Sequence, residues 1–514
     1  MKPSRVISVL AGLAAALVAL AVAELLAGLN RAWRSPVLDV GDRVIDAAPP
    51  FVKEFAIDTF GTNDKPALLI GIGVVLVVYA GIVGLLALRR HFLVGVIGVG
   101  LFGVIGAWAA LSRRIAPPWH VALPSVIGAA AGIGALWLVR QSVRQREEQP
   151  VSGPGGTDRR EFLRQSGVLL AGLAATAAVV GVAGRWLGSR FAAAASRAGV
   201  ALPRPATPLA AVPPSTQVDV PGITPFITPN DRFYRIDTAL TAPQVPTDSY
   251  ALRIKGMVDN ELELSFDDLL RREMIERDIT LTCVSNEVGG KLAGTARWLG
   301  TRLDALLREA GVQPGADQVV GRSVDGFECG FPLEAARDGR DAMVAIGMNG
   351  EPLPIEHGFP ARLIVPGLYG FVSATKWLTE IELTTFDEFD HYWLRRGWAQ
   401  RAPIKLMSRI DTPRGLAKVP AGLVPIAGVA WEQTVGIAGV EVSVDDGSWE
   451  PADLADVTTN DTWRQWVYRW TATPGRHSVK VRAIDNAGAI QTADRAEPIP
   501  DGASGHHQIV VIVE

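Results

Sequence analysis

Five apolar stretches in the first 190 residues constrain the fold of this chain most strongly. Each is about as long as the roughly 20 residues that a helix needs to cross a bilayer. They are residues 5–29, 67–88, 92–111, 121–139 and 167–187. Because backbone polar groups in lipid must bond internally, such stretches must be helices. The sequence therefore predicts a four-helix transmembrane region over residues 1–145 and a fifth transmembrane helix after it.

Loop charges predict the orientation of these helices. With the N-terminus in the cytoplasm, most basic residues that flank the spans lie inside, as the positive-inside rule requires. These residues are Lys2, Arg5, Arg89, Arg90, Arg140, Arg144 and Arg146. Arg113 and Arg114 would lie outside and oppose the rule. We expect a multi-pass protein of the cell membrane whose catalytic domain, after the fifth span, lies outside the cytoplasm.

Residues 146–222 are predicted to hold a cytoplasmic linker, the fifth helix and a Pro-rich extended tether. The run RREFLR, starting at Arg159, precedes a weakly hydrophobic Ala/Gly-rich span and resembles a twin-arginine export signal. An ordinary basic flank before a span is the alternative. We expect the segment to stay as an anchor.

The next two regions differ in pattern. Residues 223–402 mix amphipathic helices, such as TRLDALLREAG closed by Gly311, with alternating strands, which indicates an α+β domain. Residues 403–514 contain short alternating strands and turn signals only, which favours an immunoglobulin-like β-sandwich. The fold class is thus multi-domain: a helical transmembrane bundle, an α+β domain and a sandwich.

The chain has two cysteines, Cys283 and Cys329, so a disulfide framework is excluded. Cys283 follows the strand-like DITLT and precedes a polar loop with glycines, which presents its thiol at the end of a strand. A buried structural cysteine is the alternative. Cys329 alternates with Phe327 and Phe331, so we expect it in the core.

Three segments together resemble the molybdopterin domain of the sulfite oxidase family. They are LTCVSNEVGG with the following ARWLGTRL, HGFPAR with the loop that ends at Lys376, and ITPNDRFYRID. In that family one cysteine thiolate binds molybdenum, and thiolates suit this metal. The resemblance therefore implies a molybdenum–molybdopterin cofactor, with Cys283 as the metal ligand and the catalytic residue.

The resemblance also implies a set of pterin contacts. A pterin phosphate needs fixed donors, and an arginine offers a planar fork. The residues carried over are Asn230, Phe233, Tyr234, Asp325, His357, Arg362, Ser373, Thr375 and Lys376. Asn230 could instead form an Asx turn, and Asp325 could be an ordinary turn residue before Gly326.

The chain departs from sulfite oxidases at the substrate site. Val288 stands where those enzymes place a sulfite-contacting arginine, Trp398 aligns with their catalytic tyrosine, and Arg235 lies one position from another active-site arginine. Family members include bacterial periplasmic reductases, one of them for methionine sulfoxide. We expect oxo transfer on a small sulfur- or nitrogen-containing substrate. The alternatives are a true sulfite dehydrogenase and a membrane-tethered binding or assembly module.

The expected partners follow from the same reasoning. They are a small-molecule substrate, the membrane and an unidentified electron-transfer protein. The net charge of −3 gives no reason to expect nucleic acid. The C-terminal domain mediates dimerisation in sulfite oxidases, so the resemblance allows a homodimer.

Overall fold

The structure is a computed structural model that describes residues 3–49, 52, 55, 59–60, 64–113, 117–147, 158–189 and 192–514. The chain forms two compact units. The first contains Met1–Ala192 with Thr238–Ala242, and the second contains Ala193–Asp237 with Pro243–Glu514. The predicted linker at 148–157 and Arg114 lie outside the described residues.

The first unit is helical. Its helices are α1 (Arg5–Ala27), α2 (Pro36–Ala47), α3 (Asp64–Arg89), α4 (Phe92–Leu111), α5 (Leu123–Glu147) and α6 (Asp158–Ser189). Five helices in the described part of the chain are long and apolar enough to span a membrane, by length and composition alone. Helix α2 was not expected; Pro36 at its first turn sets the backbone angle that starts a helix.

Small residues let the neighbouring helices approach α1 closely. A Cβ atom at Gly84 of α3 would lie 2.6 Å from the Cα of Gly12, and one at Gly184 of α6 would lie 2.6 Å from the Cα of Leu25. A Cβ atom at Gly128 of α5 would also overlap α1. Close packing of small residues is the usual basis of helix association in lipid.

One charged residue in this unit is deeply buried. Asp39 of α2 is 2% exposed and accepts bonds of 3.0 and 2.8 Å from the guanidinium of Arg113. Arg34 lies 3.7 Å from the same carboxylate. Arg113, which opposed the predicted orientation, is therefore paired with an acidic residue.

The second unit begins with two sheets, the first mixed and the second antiparallel. The first has the order β2–β1–β10–β5–β6, and the second has the order β3–β4–β7–β8, with β9 paired to β7. Their strands are β1 (Ala251–Gly256), β2 (Leu262–Ser265), β3 (Met274–Thr282), β4 (Ala293–Arg302), β5 (Gln318–Ser323), β6 (Glu328–Pro332), β7 (Met343–Met348), β8 (Glu351–Pro352), β9 (Arg362–Ile364) and β10 (Leu378–Thr384).

Four short helices accompany these strands: α7 (Ala193–Ala198), α8 (Phe266–Leu270), α9 (Leu303–Ala310) and α10 (Gly370–Ser373). Ser265 and Asp268 form the predicted capping box of α8, which satisfies its free N–H groups. Gly311 ends α9 in the left-handed conformation, at φ 69°.

The C-terminal part contains only strands: β11 (Met407–Thr412), β12 (Lys418–Val419), β13 (Gly422–Trp431), β14 (Ile437–Val444), β15 (Glu450–Pro451), β16 (Asp453–Leu454), β17 (Arg464–Ala472), β18 (Gly475–Asp485) and β19 (His507–Val513). They form two sheets, β11–β13–β17–β16 and β12–β19–β18–β14–β15. Residues from both sheets share one apolar cluster. We call residues 403–514 the two-sheet region.

The coarse fold class is confirmed: apolar N-terminal helices, a β-rich domain and C-terminal sheets. The Pro-rich segment predicted as a tether is counted with the second unit. The Ala206 amide donates to the Met274 carbonyl at 2.9 Å, and the Val218 amide donates to Gln465 at 2.6 Å. The boundaries between the four predicted domains stay predictions.

Candidate functional site

Cys283 lies directly after β3, as the sequence predicts. Its amide donates to the Leu292 carbonyl at 2.9 Å, and its carbonyl accepts from the Asn286 amide at 3.0 Å. The side chain of Asn286 accepts from the Leu292 amide at 2.7 Å. These bonds close the loop that carries the thiol.

The thiol of Cys283 is 8% exposed. Burial raises its pKa, while hydrogen bonds from Ser285 and the charge of Lys376 oppose that rise. The charge of Lys376 thus favours the thiolate form, which is the form that binds metals.

The segment with Asn230, Phe233 and Tyr234 packs against β4. The ring of Phe233 lies where Gly294 has no side chain, and it stacks on Tyr234 with centroids 5.2 Å apart. Burial raises the pKa of Tyr234, and the nearby Cys283 acts in the same direction. Asn230 donates to Glu351 at 2.5 Å and accepts from Asn349 at 2.8 Å.

His357 ends a single helical turn, and Gly358 then adopts φ 109°, a left-handed conformation that suits glycine. The His357 Nε2 lies 3.1 Å from the Asn230 carbonyl, and its ring packs edge-on against Phe233. Burial, and then the charge of Arg362, lowers the pKa of His357 to about 4. The imidazole is therefore neutral at pH 7.

Arg362 begins β9 and is 5% exposed. Its Nη1 donates to the His357 carbonyl at 3.1 Å, and its guanidinium lies over the Trp298 ring, 5.1 Å from the centroid. Its Nε is buried and has no partner among the described residues. Burial lowers the pKa of Arg362 to about 10, so it stays charged at neutral pH.

Lys376 supplies a second buried cation. Its Nζ lies 2.8 Å from the carboxylate of Asp237, which also accepts from Arg235 at 2.8 Å. Burial lowers the pKa of Lys376 to about 8, while Asp237 opposes that shift. Asp237 was not predicted as a site residue from the sequence. The one available signal was that it follows Arg235 by two residues, and Arg235 directly follows Tyr234.

Three of the predicted pterin residues have side chains engaged elsewhere. Ser373 donates to the Tyr369 carbonyl at 3.1 Å, inside its own helix. Thr375 donates to the Gly321 carbonyl at 3.2 Å and lies 2.8 Å from the sulfur of Cys329. Asp325 accepts from the Phe327 amide at 3.1 Å, as a turn residue does. Their roles stay predictions. Cys329 is fully buried, as expected.

The structure thus brings six of the nine predicted pterin contacts together in one group. We call this group the cradle; it consists of Asn230, Phe233, Tyr234, His357, Arg362 and Lys376. It combines aromatic rings with two cations, Arg362 and Lys376, and with the neighbouring carboxylates of Asp237 and Glu351. A buried guanidinium with an unused N–H requires an anionic or acceptor-rich ligand. The cradle therefore fits a phosphate-bearing aromatic group such as a pterin.

An aromatic group lies near the cysteine loop. A Cβ atom at Gly370 would lie 3.9 Å from the Thr282 carbonyl, which places α10 beside the end of β3. The next residue, Phe371, packs against Trp398 with centroids 5.6 Å apart, and Trp398 packs against Trp393 at 5.9 Å.

Comparisons with known proteins bear on the family of the chain. Residues 239–393 match the family described as oxidoreductase molybdopterin binding domain. An uncharacterized oxidoreductase of Bacillus subtilis, YuiH, is 33% identical over 150 residues, which are 29% of this chain and 72% of that protein. The chain belongs to the sulfite oxidase family of molybdopterin-dependent oxidoreductases.

Sulfite oxidases themselves match over a longer stretch. Human mitochondrial sulfite oxidase is 30% identical over 323 residues, 53% of this chain and 58% of that protein. The chain therefore spans less than two thirds of this relative. The crystal structure of the sulfane dehydrogenase SoxCD from Paracoccus pantotrophus matches with a TM-score of 0.50 and 23% identity, over 59% of this chain and 85% of that one. That likeness supports the fold.

Proposed function

We propose that this sulfite oxidase family member is a membrane-anchored oxidoreductase that acts outside the cytoplasm on a small sulfur- or nitrogen-containing substrate. When bound, the molybdenum–molybdopterin cofactor supplies two-electron oxo transfer. The observation that carries the proposal is Arg362: a buried cation with an unused N–H, in an aromatic cradle beside Cys283.

Each cradle residue has a defined task in this proposal. Arg362 and Lys376 hold the phosphate of the cofactor, because both are buried cations. The neutral ring of His357 donates to the Asn230 carbonyl through Nε2, so it would offer Nδ1 to the pterin as an acceptor, and Asn230 would hold this ring in place. Phe233 and Tyr234 would pack against the pterin ring. Cys283 provides the thiolate ligand of the metal. Asp325, Ser373 and Thr375 remain proposed contacts, through the loops that carry them.

The surroundings of Cys283 favour a substrate other than sulfite. Val288 and Trp398 replace groups that bind or act on an anion in sulfite oxidases. Nearby arginines are engaged: Arg235 bonds Asp237 at 2.8 Å, and Arg396 lies 3.5 Å over the Tyr392 ring. A neutral sulfur or nitrogen oxide suits this site better, with a sulfite dehydrogenase as the second candidate.

The remaining predictions from the sequence belong to the same proposal. The apolar helices anchor the chain, RREFLR directs export, and an unidentified redox protein exchanges electrons with the metal. The two-sheet region is an immunoglobulin-like sandwich, which could pair two copies as in sulfite oxidases. The incomplete anion site also motivates a different class of function, a tethered binding or assembly module without turnover.

Metal analysis of the detergent-purified full chain tests the proposal. The wild type would be compared with Cys283→Ser and with Cys329→Ser, a matched change at the other buried cysteine. We expect near-stoichiometric molybdenum and pterin in the wild type and in Cys329→Ser. In Cys283→Ser, pterin should persist while the metal spectrum changes and turnover is lost.

Two outcomes would count against the proposal. Wild-type protein without metal or pterin, from a host that loads such enzymes, would favour the binding module. A Cys283→Ser variant with an unchanged metal spectrum would remove this cysteine as the ligand. If metal is present, rates with sulfite, a sulfoxide and an amine N-oxide would separate the two candidate reactions.

A further inference from the structure

Strand β3, which ends at Cys283, has two different sides. Ile279 and Leu281 point into the apolar core that also contains Phe233. Thr280 and Thr282 alternate with them and are equally buried, at 0% and 1% exposure. Because successive side chains of a strand point to opposite faces, the threonines face away from that core.

The threonine side of β3 is covered by the two-sheet region. Strand β3 is an edge strand of its sheet, so Thr280 has backbone groups that β4 does not use. The Thr280 amide donates to the Asp461 carbonyl at 2.9 Å. Its hydroxyl accepts from the Trp463 amide at 2.8 Å. Both partners belong to the loop before β17.

Gln433, two residues after β13, completes this contact. Its Nε2 donates to the Thr280 carbonyl at 2.9 Å and lies 3.4 Å from the Thr282 hydroxyl. Gln433 is 2% exposed. Gln433 therefore holds the end of β3, just before Cys283, on the side of the strand that faces the two-sheet region.

If stability were the only requirement, glutamine would be an unfavourable residue at position 433. Its Oε1 is buried and, among the described residues, has no hydrogen-bond partner. An unpaired buried acceptor costs about 1–3 kcal/mol. A methionine of similar length would avoid that cost, but it could not donate to Thr280. The donor is therefore the feature that distinguishes glutamine at this position.

The loop after Cys283 is held by the same region. Arg409 of β11 donates to the Gly290 carbonyl at 2.8 Å, and its Nε donates to Asp411 at 2.6 Å. The ring of His507 packs on Gly289, where any Cβ atom would overlap the imidazole. Gly289 has φ 81°, so glycine is required there for both reasons.

We propose that the two-sheet region positions the metal-ligating cysteine, with Gln433 as the positioning residue before it and Arg409 as the one after it. This inference rests on the proposed function of Cys283 as the ligand. We call Gln433, Asp461, Trp463, Arg409 and His507 the clamp. None of these residues touches the thiol; they act through Thr280, Thr282 and the loop at 289–290.

Thiol labelling of the cofactor-free full chain tests the clamp without any metal. A maleimide would be added to wild type and to Gln433→Met, and modification of each cysteine followed by mass spectrometry. Losing the Gln433 donor should make Cys283 react about five to ten times faster, because its strand end opens more often. Cys329, fully buried and away from the clamp, serves as the internal reference.

Val479→Ala is the control for a general loss of stability. Val479 is fully buried in the apolar cluster between the two sheets, and its strand partners, Val444 and Ile509, do not belong to the clamp. It should leave the ratio of Cys283 to Cys329 labelling unchanged. Equal acceleration in Val479→Ala, or none in Gln433→Met, would overturn the proposal. Arg409→Lys, which keeps the charge but loses the fork, is a second variant if Gln433→Met fails to fold.

The loaded protein gives a second readout. Gln433→Met should retain molybdenum but shift the electron paramagnetic resonance signal of the Mo(V) state, and Val479→Ala should leave that signal unshifted. An unshifted signal in Gln433→Met would contradict the positioning role. If the wild type holds no metal while the labelling result stands, the proposed function fails and the clamp survives as a structural device.

Discussion

The two sides of the Cys283 segment differ in the kind of polar group that each leaves unpaired. In the cradle, the cation Arg362 keeps an unused buried N–H, and the pKa of Lys376 is lowered to about 8 by burial. In the clamp, the amide, carbonyl and hydroxyl of Thr280 are all bonded to the two-sheet region, and the neutral Oε1 of Gln433 lacks a partner among the described residues. The cradle therefore keeps a charged donor that a ligand can use, whereas the bonds of the clamp hold the backbone of β3 in place.

This difference separates binding from support. Buried charges without full pairing cost stability, so a protein retains them where a ligand completes them. Saturated hydrogen bonds between packed parts add stability and rigidity. We therefore expect cradle substitutions to change cofactor retention more than folding, and clamp substitutions to do the reverse.

Trp463 should show the largest effect on stability. It is fully buried, and its indole donates to the Phe226 carbonyl at 2.9 Å. Trp463→Ala should lower the free energy of unfolding by about 3–5 kcal/mol, through a cavity and an unpaired carbonyl. Denaturant unfolding in detergent measures this. Trp463→Phe, which keeps most of the volume, should lose less than half as much; an equal loss would argue against packing as the cause.

Acid should destabilise the cofactor-free cradle. His357 would bind a proton near pH 6.5 in the unfolded chain but only near pH 4 in the folded one, because of burial and Arg362. Its stabilising contribution is therefore present above pH 6.5 and falls as the pH drops to 4, by up to about 3 kcal/mol. His357→Gln should flatten this part of the stability profile.

Two residues outside the cradle serve as comparisons for that profile. Burial also lowers the pKa of His391 to about 4, so His391→Gln should flatten the same window. Bound cofactor should reduce only the His357 contribution, since an anion beside His357 favours its protonation. Glu432 of the two-sheet region makes stability depend on pH in the opposite direction. Burial and Asp485 raise its pKa to about 7, so its ionisation destabilises the fold as the pH rises toward 7. If cofactor left the His357 window unchanged, His357 would lie outside the binding site.

Local patterns predicted the cradle better than the clamp. The strand end with Cys283 and the run HGFPAR are each a short continuous segment, and the structure places β3 and β9 in one sheet. Spacing alone did not show which way Thr375 points: the structure turns it toward Cys329. For Asp325, the residue type suggested an ordinary turn residue as the alternative, and the structure shows its side chain bonded within such a turn.

The clamp depends on contacts between distant parts of the chain. Gln433 and Thr280 are 153 positions apart, and Trp463 and Phe226 are 237 apart. A single sequence carries no signal for such pairs, because a buried glutamine or tryptophan fits many cores. Asp237 was missed for the same reason, since its partner Lys376 is 139 positions away.

Replacing one arginine in the cradle and one in the clamp gives the sharpest test. The cradle substitution should have the smallest effect on stability. Arg362→Met should alter the unfolding free energy of the cofactor-free protein by at most about 1 kcal/mol, because removing a partly paired buried cation offsets the lost bonds. Pterin retention should nevertheless collapse. Arg409→Met removes an arginine paired with Asp411, so an uncompensated carboxylate remains and the cost should be about 3 kcal/mol. Because Arg362 and Arg409 are buried to nearly the same extent, at 5% and 4% exposure, burial alone cannot explain a difference between them. Equal destabilisation by both substitutions would mean that the cradle arginine supports the fold, and the division between binding and support would then be wrong.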